Sequence, residues 1–319
     1  MRFLLRHPRI SFVRATNYLK NPFQQRPNLQ FSHHVAHNAL RQPEAVYVPE
    51  VDLEDFESYT TDSYHPIVIG DTFQKGRYKI VYKLGFGKRF IPHLLDTISI
   101  ESPNGRHTCL VQEAAGCSIA ESKEDSVNFM FQTKTARSIA AQLIMGVAYL
   151  HSLGLCHGDL HLRNMLFHDP HLGELSPAML YEIYRLDQAP IRRVDGAPVE
   201  PQAPAYAVYL MHMKIAADKL IEPLITISDY GTSFVLAAER SPKLYTPPLF
   251  LPPEDFFQKP ITLAADIWTL GVSLYEILGE RPLFETFSSD QDDIFADIIS
   301  TLGPPPARWW DKWENRKDT

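Results

Sequence analysis

Cysteine is scarce: Cys109, Cys117 and Cys156 are all that 319 residues contain. Three is an odd number and no two stand in Cys-x-x-Cys spacing, so neither a disulfide framework nor a cysteine zinc site is indicated, and a reducing compartment is the default. Apolar runs are short, none approaching the ~20 residues of a membrane-spanning helix. Acids are missing from residues 1–43, which hold Arg2, Arg6, Arg9, Arg14, Lys20, Arg26 and Arg41. The other 24 basic residues and all 38 acids lie beyond, so the remaining 276 residues carry −14 against −7 for the whole chain. A basic, acid-free start such as MRFLLRHPRISFVRATNYLK has the makeup of a mitochondrial transit peptide or of a basic arm. His33, His34 and His37 have no further ligand nearby to complete a metal site and read as surface histidines.

Against these gaps stand 18 Phe, 14 Tyr and 4 Trp in a composition that is 45% hydrophobic and 22% charged. That supplies a substantial core, excludes disorder throughout, and at this length allows two lobes. Segment 44–66 is acidic and polar and reads as a linker. Residues 77–84 alternate in character and run into Gly85-Phe86-Gly87, a strand entering a glycine turn. Residues 96–101 and 107–112 flank Ser-Pro-Asn-Gly-Arg, where Asn104-Gly105 is expected to supply the positive φ angles of a tight hairpin. Within 133–151, Ala136, Ile139, Ala140, Leu143, Ile144, Val147 and Leu150 recur at helical steps. Ile267, Leu270, Leu274 and Ile277 do the same within 264–278, so two helices with those faces buried are predicted. Met165-Leu166-Phe167 and residues 224–228 read as short strands, and 168–224, with seven prolines, as an insertion.

Chemistry enters through spacing. His157-Gly158-Asp159 followed by Asn164 fits H-x-D-x-x-x-x-N, and Asp229-Tyr230-Gly231 fits the D-[FY]-G that follows it in protein kinases. Pro252-Pro253-Glu254 stands in the A-P-E position and Asp266-Ile267-Trp268 opens the next helix, so four signals occur in the correct order. Phosphoryl transfer needs a carboxylate to orient the attacking hydroxyl and oxygen ligands to hold Mg²⁺ on the phosphates. Asp159, Asn164 and Asp229 provide that set.

Residues from about 65 to 319 resemble a eukaryotic-type protein kinase, nearest to SR-protein kinases of fungal type. The resemblance rests on YHPIVIGDTFQKGRYKIVYKLGFG, SPNGRHTCLVQE, HGDLHLRNML, ADIWTLGVSLYEILGERPLF and the insertion between the catalytic loop and Asp-Tyr-Gly. It implies an α+β, bilobal protein-kinase-like fold with a reduced β N-lobe (67–113) and a mainly helical C-lobe (114–319, spacer insertion 168–224), following the basic arm or transit-like segment (1–43) and the linker (44–66) read from composition. It implies ATP and Mg²⁺ as cofactors and transfer of the γ-phosphoryl group to Ser or Thr of a basic, Arg-Ser-rich protein linked to splicing. Residue by residue, Asp159 would be the catalytic base, Asn164 and Asp229 the Mg²⁺ ligands, and Gly85 and Gly87 the phosphate-covering loop. His161 stands where a lysine normally contacts the transferring phosphate, and when neutral would offer one hydrogen bond without fixed charge. A monomer is expected in cytoplasm and nucleus, or in the mitochondrion from its basic start, with no direct contact to nucleic acid or membrane. Glu285, Asp290, Asp292, Asp293 and Asp297 form an acidic run, read either as a docking surface for Arg-Ser segments or as a solvated helix start.

The same resemblance marks what is missing. There is no third glycine, no Val-Ala-Ile-Lys strand and no helix with a paired Glu. Residues 88–113 have no room for two further strands of ~5 residues and a helix of ~11 beside the hairpin. Gly158 replaces an arginine that reads an activation-loop phosphate, so control by such phosphorylation is not expected. The arginine that pairs with the A-P-E glutamate is absent, leaving Glu254 without that partner. Two other readings follow from these gaps, a pseudokinase acting as a scaffold and a truncated gene product. HGDLH is also similar to aminoglycoside and choline kinases, a small-molecule phosphotransferase reading against which Pro253-Glu254 and ADIWTLG argue.

Overall fold

The computed structural model describes residues 2–6, 11–16, 45–50, 53, 55–61, 64–84, 94–169, 171–238, 242–257, 260–286 and 290–313; for 2–6, 11–16 and 81–84 the description is of the backbone alone. Its helices are α1 (Ile119–Glu124), α2 (Thr133–Ser152), α3 (Pro177–Tyr184), α4 (Pro253–Phe256), α5 (Ala264–Leu278), α6 (Gln291–Leu302) and α7 (Ala307–Trp310). The chain divides into two compact units, residues 1–85, 94–112 and 175–211 in one and residues 86–93, 113–174 and 212–319 in the other. Its class is α+β.

The first unit is built on six antiparallel strands: β1 (Arg2–Arg6), β2 (Ser11–Thr16), β3 (Thr72–Phe73), β4 (Tyr78–Leu84), β5 (Leu94–Ser102) and β6 (Gly105–Gln112). They stand in the order β3-β4-β1-β2-β6-β5. Residues 1–43, read above as a basic arm, thus contribute two inner strands: Arg2 lies opposite Leu84 and Phe12 opposite Gln112. Without them β4 and β6 would each present an open edge. Tyr78, Ile80, Ile98, Ile100, Cys109 and Val111 alternate along their strands and form one buried cluster.

The hairpin forms, with Ser102 opposite Gly105, but its turn differs from expectation. Gly105 alone takes a positive φ, +104°. Asn104 is fully buried instead, its Nδ2 donating to the Gln202 carbonyl at 2.7 Å and to that of Tyr64. The segment read as a linker also has a packed part, because its apolar residues outweigh its acids: Tyr47, Phe56 and Tyr59 are buried with Ile191, Ala203 and Ala207 of the insertion. The Glu57 carboxylate accepts the N–H groups of Val46 and Tyr47, each at 2.8 Å.

His65 and His107 are both buried, their ring centroids 5.1 Å apart. Burial, and then the charge of His107, push His65 down to about 4. An unfolded histidine titrates near 6.5 and binds its proton first. The contribution is therefore complete above pH ~6.5 and is lost as pH falls toward 4, a loss of about 3 kcal/mol. Urea titrations at pH 7 and near pH 4.5 are expected to show that loss, and His65→Phe to reduce it; an undiminished acid loss in the variant would refute the assignment.

In the second unit, α2 buries Ile139, Leu143, Val147 and Leu150 against Leu160, Met165, Phe167, Ile227, Leu270 and Ile277. Each fully buried side chain of this size contributes about 1.5–3 kcal/mol. Ile144 and Ile267, expected on the buried faces, point outward and are 49% and 55% exposed, since each sits on the flank of a stripe only ~100° wide. Ser118 and Glu121 form a capping box at the start of α1. Lys123 of the same helix is buried, and its ammonium donates to the carbonyls of Glu276 and of Gly279 (2.9 Å) at the end of α5, where a cation opposes the helix dipole. The acidic run has local work: Asp290 accepts the Asp292 N–H at 2.8 Å, Asp292 the Trp313 indole N–H at 2.7 Å, and Asp297 the Glu285 N–H at 2.9 Å. Among the described residues no helix is long and apolar enough to cross a membrane.

Candidate active site

Two short antiparallel ladders frame the site. Leu155–Cys156 pairs with Phe234–Val235, and Met165–Phe167 pairs with Ile225–Ile227. Loops 157–164 and 228–233 therefore run side by side, and a buried acid holds the first of them. Asp266, in the first turn of α5, is 1% exposed. Its Oδ2 accepts the His157 N–H at 2.7 Å and lies 3.0 Å from His151 Nε2, while Oδ1 accepts the Gly158 N–H at 2.9 Å. Burial raises its pKa, but the hydrogen bonds from His151, Gly158 and His157 outweigh that and hold the carboxyl below the ordinary range.

His157 is wholly buried. Its Nε2–H donates to the Ser228 carbonyl at 2.8 Å and its Nδ1 accepts the Asp159 N–H at 3.3 Å, which selects the neutral Nε2–H tautomer. Burial lowers its pKa against the raising fields of Asp266, Asp159 and Asp229. Gly158 has φ +76°, and a Cβ there would lie 3.2 Å from the Thr232 carbonyl oxygen. That is a backbone reason for glycine at this position.

The structure brings Asp159, His161 and Asn164 together. Asn164 Nδ2 donates to Asp159 Oδ2 and to the Asp159 carbonyl, each at 3.0 Å. Two acceptors on the nitrogen side fix the amide orientation and leave Oδ1 as its acceptor. The main-chain carbonyl of Asn164 accepts both the N–H and the hydroxyl of Ser228 at 2.8 Å, tying the residue before Asp229 to this loop. Asp229 sits in the left-handed region at φ +65°, ψ +63°, a strained position for a residue with a Cβ. His161 Nδ1 accepts the Arg163 N–H at 3.3 Å, and its Nε2 lies 3.1 Å from Asn164 Nδ2 and 3.5 Å from Asp159 Oδ1. That Oδ1 is buried and makes no hydrogen bond among the described residues. Gly85 and Gly87 lie outside the described residues. Thr246 is buried, its hydroxyl donating to the Gly158 carbonyl at 2.9 Å.

No family model matches the chain. Calcium/calmodulin-dependent protein kinase type 1B of Homo sapiens is 24% identical over 181 residues, 57% of this chain and 38% of that kinase. Serine/threonine-protein kinase SAPK3 of Oryza sativa subsp. japonica is 27% identical over 187 residues, 55% of this chain and 38% of its own. Protein kinase dsk1 of Schizosaccharomyces pombe is 25% identical over 165 residues, 35% of this chain and 30% of its own. The chain is similar to eukaryotic serine/threonine protein kinases. It spans no more than 38% of the length of these three relatives.

Protein kinases use ATP with Mg²⁺, and the kinase-like site fits the metal. Asn164 Oδ1 and the Asp229 carboxylate are hard oxygen donors of the kind Mg²⁺ takes, and the orphaned, buried Asp159 Oδ1 is an acceptor in want of a donor. When bound, Mg²⁺-ATP supplies the phosphoryl group and the metal neutralises its charge. Asn164 would then hold the Asp159 carboxylate in orientation, Asp159 Oδ1 would accept the hydroxyl proton, and the His161 imidazole would stand beside them. Sequence reasoning noted Asp266 only as part of a motif; an acid in the first turn of a helix as apolar as AADIWTLGVSLYEIL is the signal that marks it.

Proposed function

We propose that the chain carries the catalytic core of an ATP- and Mg²⁺-dependent protein serine/threonine kinase of SR-protein-kinase type, acting on basic, Arg-Ser-rich proteins. One observation carries the reading: Asp159 is held through Oδ2 by Asn164 while its buried Oδ1 makes no hydrogen bond among the described residues. Similarity to several serine/threonine kinases supports protein as the phosphoryl acceptor. The motifs and the insertion at 168–224 support the SR type.

A thermal-shift titration tests the reading. Mg²⁺-ATP at about 100 times its Kd is expected to add ~2.7 kcal/mol, raising Tm by roughly 5–10 °C. Asp229→Ala should abolish the Mg²⁺-dependent part. Phosphate transfer to an Arg-Ser peptide should fall by about 10²–10⁴ in Asp159→Asn. A cooperative melt with no Mg²⁺-dependent shift, or transfer indifferent to Asp159, would overturn it.

A further inference from the structure

On the first unit, β1 and β2 are the two central strands of the sheet, and their register concentrates cations on one face. Cys109 and Val111 belong to the buried cluster, so Leu110 and Gln112, which alternate with them along β6, stand on the opposite face. Arg14 is the register partner of Leu110, and Arg2 of Arg14, which puts both arginines on that face at directly opposed positions. Arg6 opposes Lys79 in the same way, Lys79 alternating with the buried Tyr78 and Ile80. Like charges directly opposite one another cost a sheet stability, and β1, β2 and β4 contain no acid to offset them. Between the two cationic pairs runs an uncharged row, with Leu4 opposite Phe12 and Phe12 opposite Gln112. Gln112 is 5% exposed, and its Oε1 makes no hydrogen bond among the described residues.

The geometry points to Arg2 and Arg14 as the cations that bind the phosphates of ATP, with the base laid along the uncharged row beside them. This rests on the nucleotide reading above and names residues for it that lie outside every motif of the sequence. Two observations choose this pair over Arg6 and Lys79. Arg2 lies opposite Leu84, the residue immediately before the glycine turn, whereas Arg6 lies opposite Lys79 near the other end of β4. Arg14 is on the strand next to β6, one row from the orphaned Gln112 acceptor, whereas the Arg6–Lys79 pair is at least two strands from β6. Rows on one face are about 7 Å apart, comparable with the span from a nucleoside base to its first phosphates. An exocyclic amine of the base would satisfy the Gln112 Oε1. Guanidinium groups stay charged at any working pH and grip phosphate oxygens bidentately, so bound phosphate turns the repulsion of the opposed pair into shared attraction. The pair thereby fills the role left open by the lack of a lysine strand after Gly87, and the stretch whose composition reads as a basic arm becomes part of the binding face.

The test uses the full chain and a fluorescent N-methylanthraniloyl ATP, displaced in turn by ATP, by adenosine and by inorganic tripolyphosphate. Arg2→Gln and Arg14→Gln are each expected to weaken ATP and tripolyphosphate about 10- to 100-fold while adenosine binds as before. Arg14→Lys should recover part of the ATP affinity, since it keeps the charge and loses the fork. Arg6→Gln makes the same change of net charge and should leave all three affinities unaltered. The nucleotide-free Arg14→Gln chain should melt at or above the parent, because an opposed like charge is gone, whereas loss of a merely structural arginine would lower the melt. ATP affinity indifferent to Arg2 and Arg14, equal weakening by Arg6→Gln, or adenosine weakened along with ATP each overturns the assignment and leaves the proposed activity standing. Failure of the parent chain to bind ATP in a sample that melts cooperatively overturns both.

Discussion

Asp266→Ala is expected to lower the stability of the second unit by about 3–5 kcal/mol. The side chain is almost wholly buried, and its two oxygens accept two main-chain N–H groups and face one imidazole nitrogen. Truncation would orphan the His157 and Gly158 N–H groups in a site that water does not reach, at about 1–3 kcal/mol each. Domains are stable by only about 5–15 kcal/mol, so the loss is a large share of the whole. Asp266→Asn keeps the shape but turns an NH₂ group toward a donor, and should recover only part. The pH sign follows from the depressed pKa: the ionised carboxylate stabilises the fold above the unfolded pKa near 3.9, and that contribution fades as pH falls through the lower folded value. Urea unfolding followed by tryptophan fluorescence reads the effect. A loss under about 1 kcal/mol would mean that loop 157–164 is held by something else.

The second large effect concerns Gly158. Restoring the arginine of the related pattern, Gly158→Arg, is expected to destabilise by about 2–4 kcal/mol rather than to improve the site. Two separable causes act. A side chain at φ +76° costs about 1–2 kcal/mol in any surroundings. Its Cβ would also crowd the Thr232 carbonyl at 3.2 Å, and the neighbouring hydroxyls of Ser233 and Thr246 donate to the carbonyls of His157 and Gly158, so the loop has little room to give way. Gly154 separates the causes, since it has φ +70° with nothing within 4 Å of its would-be Cβ. Gly154→Ala should show the dihedral cost alone and Gly158→Ala the sum; equal losses would remove the crowding argument. The same melts with Mg²⁺-ATP should show the nucleotide shift shrinking in Gly158→Arg and unchanged in Gly154→Ala.

What was legible in the chain was local. Helix α5 reads from its apolar period to within its observed bounds, and Asp159, His161 and Asn164 lie within six residues of one another, so their spacing predicts their meeting. The hairpin reads from Ser-Pro-Asn-Gly-Arg, though not the burial of Asn104, which depends on carbonyls 40 and 98 residues away. For the same reason no window could show Tyr47 packed with Ile191, or Asp266 bonded to a loop 108 and 109 residues earlier. The outward turn of Ile267 is a different failure: periodicity finds an apolar stripe but not its edges, and Ile267 stands at one.

The sheet order carries a consequence for synthesis. β1 and β2 are made first, yet their outer partners are β4 and β6, the latter ending at Gln112. A ribosome adding ~5–20 residues per second needs roughly 5–20 s to go from the end of β2 to the end of β6. Until β4 is complete at Leu84 the pair has neither neighbour, and until Gln112 it lacks β6, so free strand edges are open to other chains or to a chaperone. Closing loops of this length must also precede the pairing that rewards them. Slow completion of the sheet, and dependence on translation speed across residues 17–112, are built into a topology that places the start of the chain at the centre of the sheet.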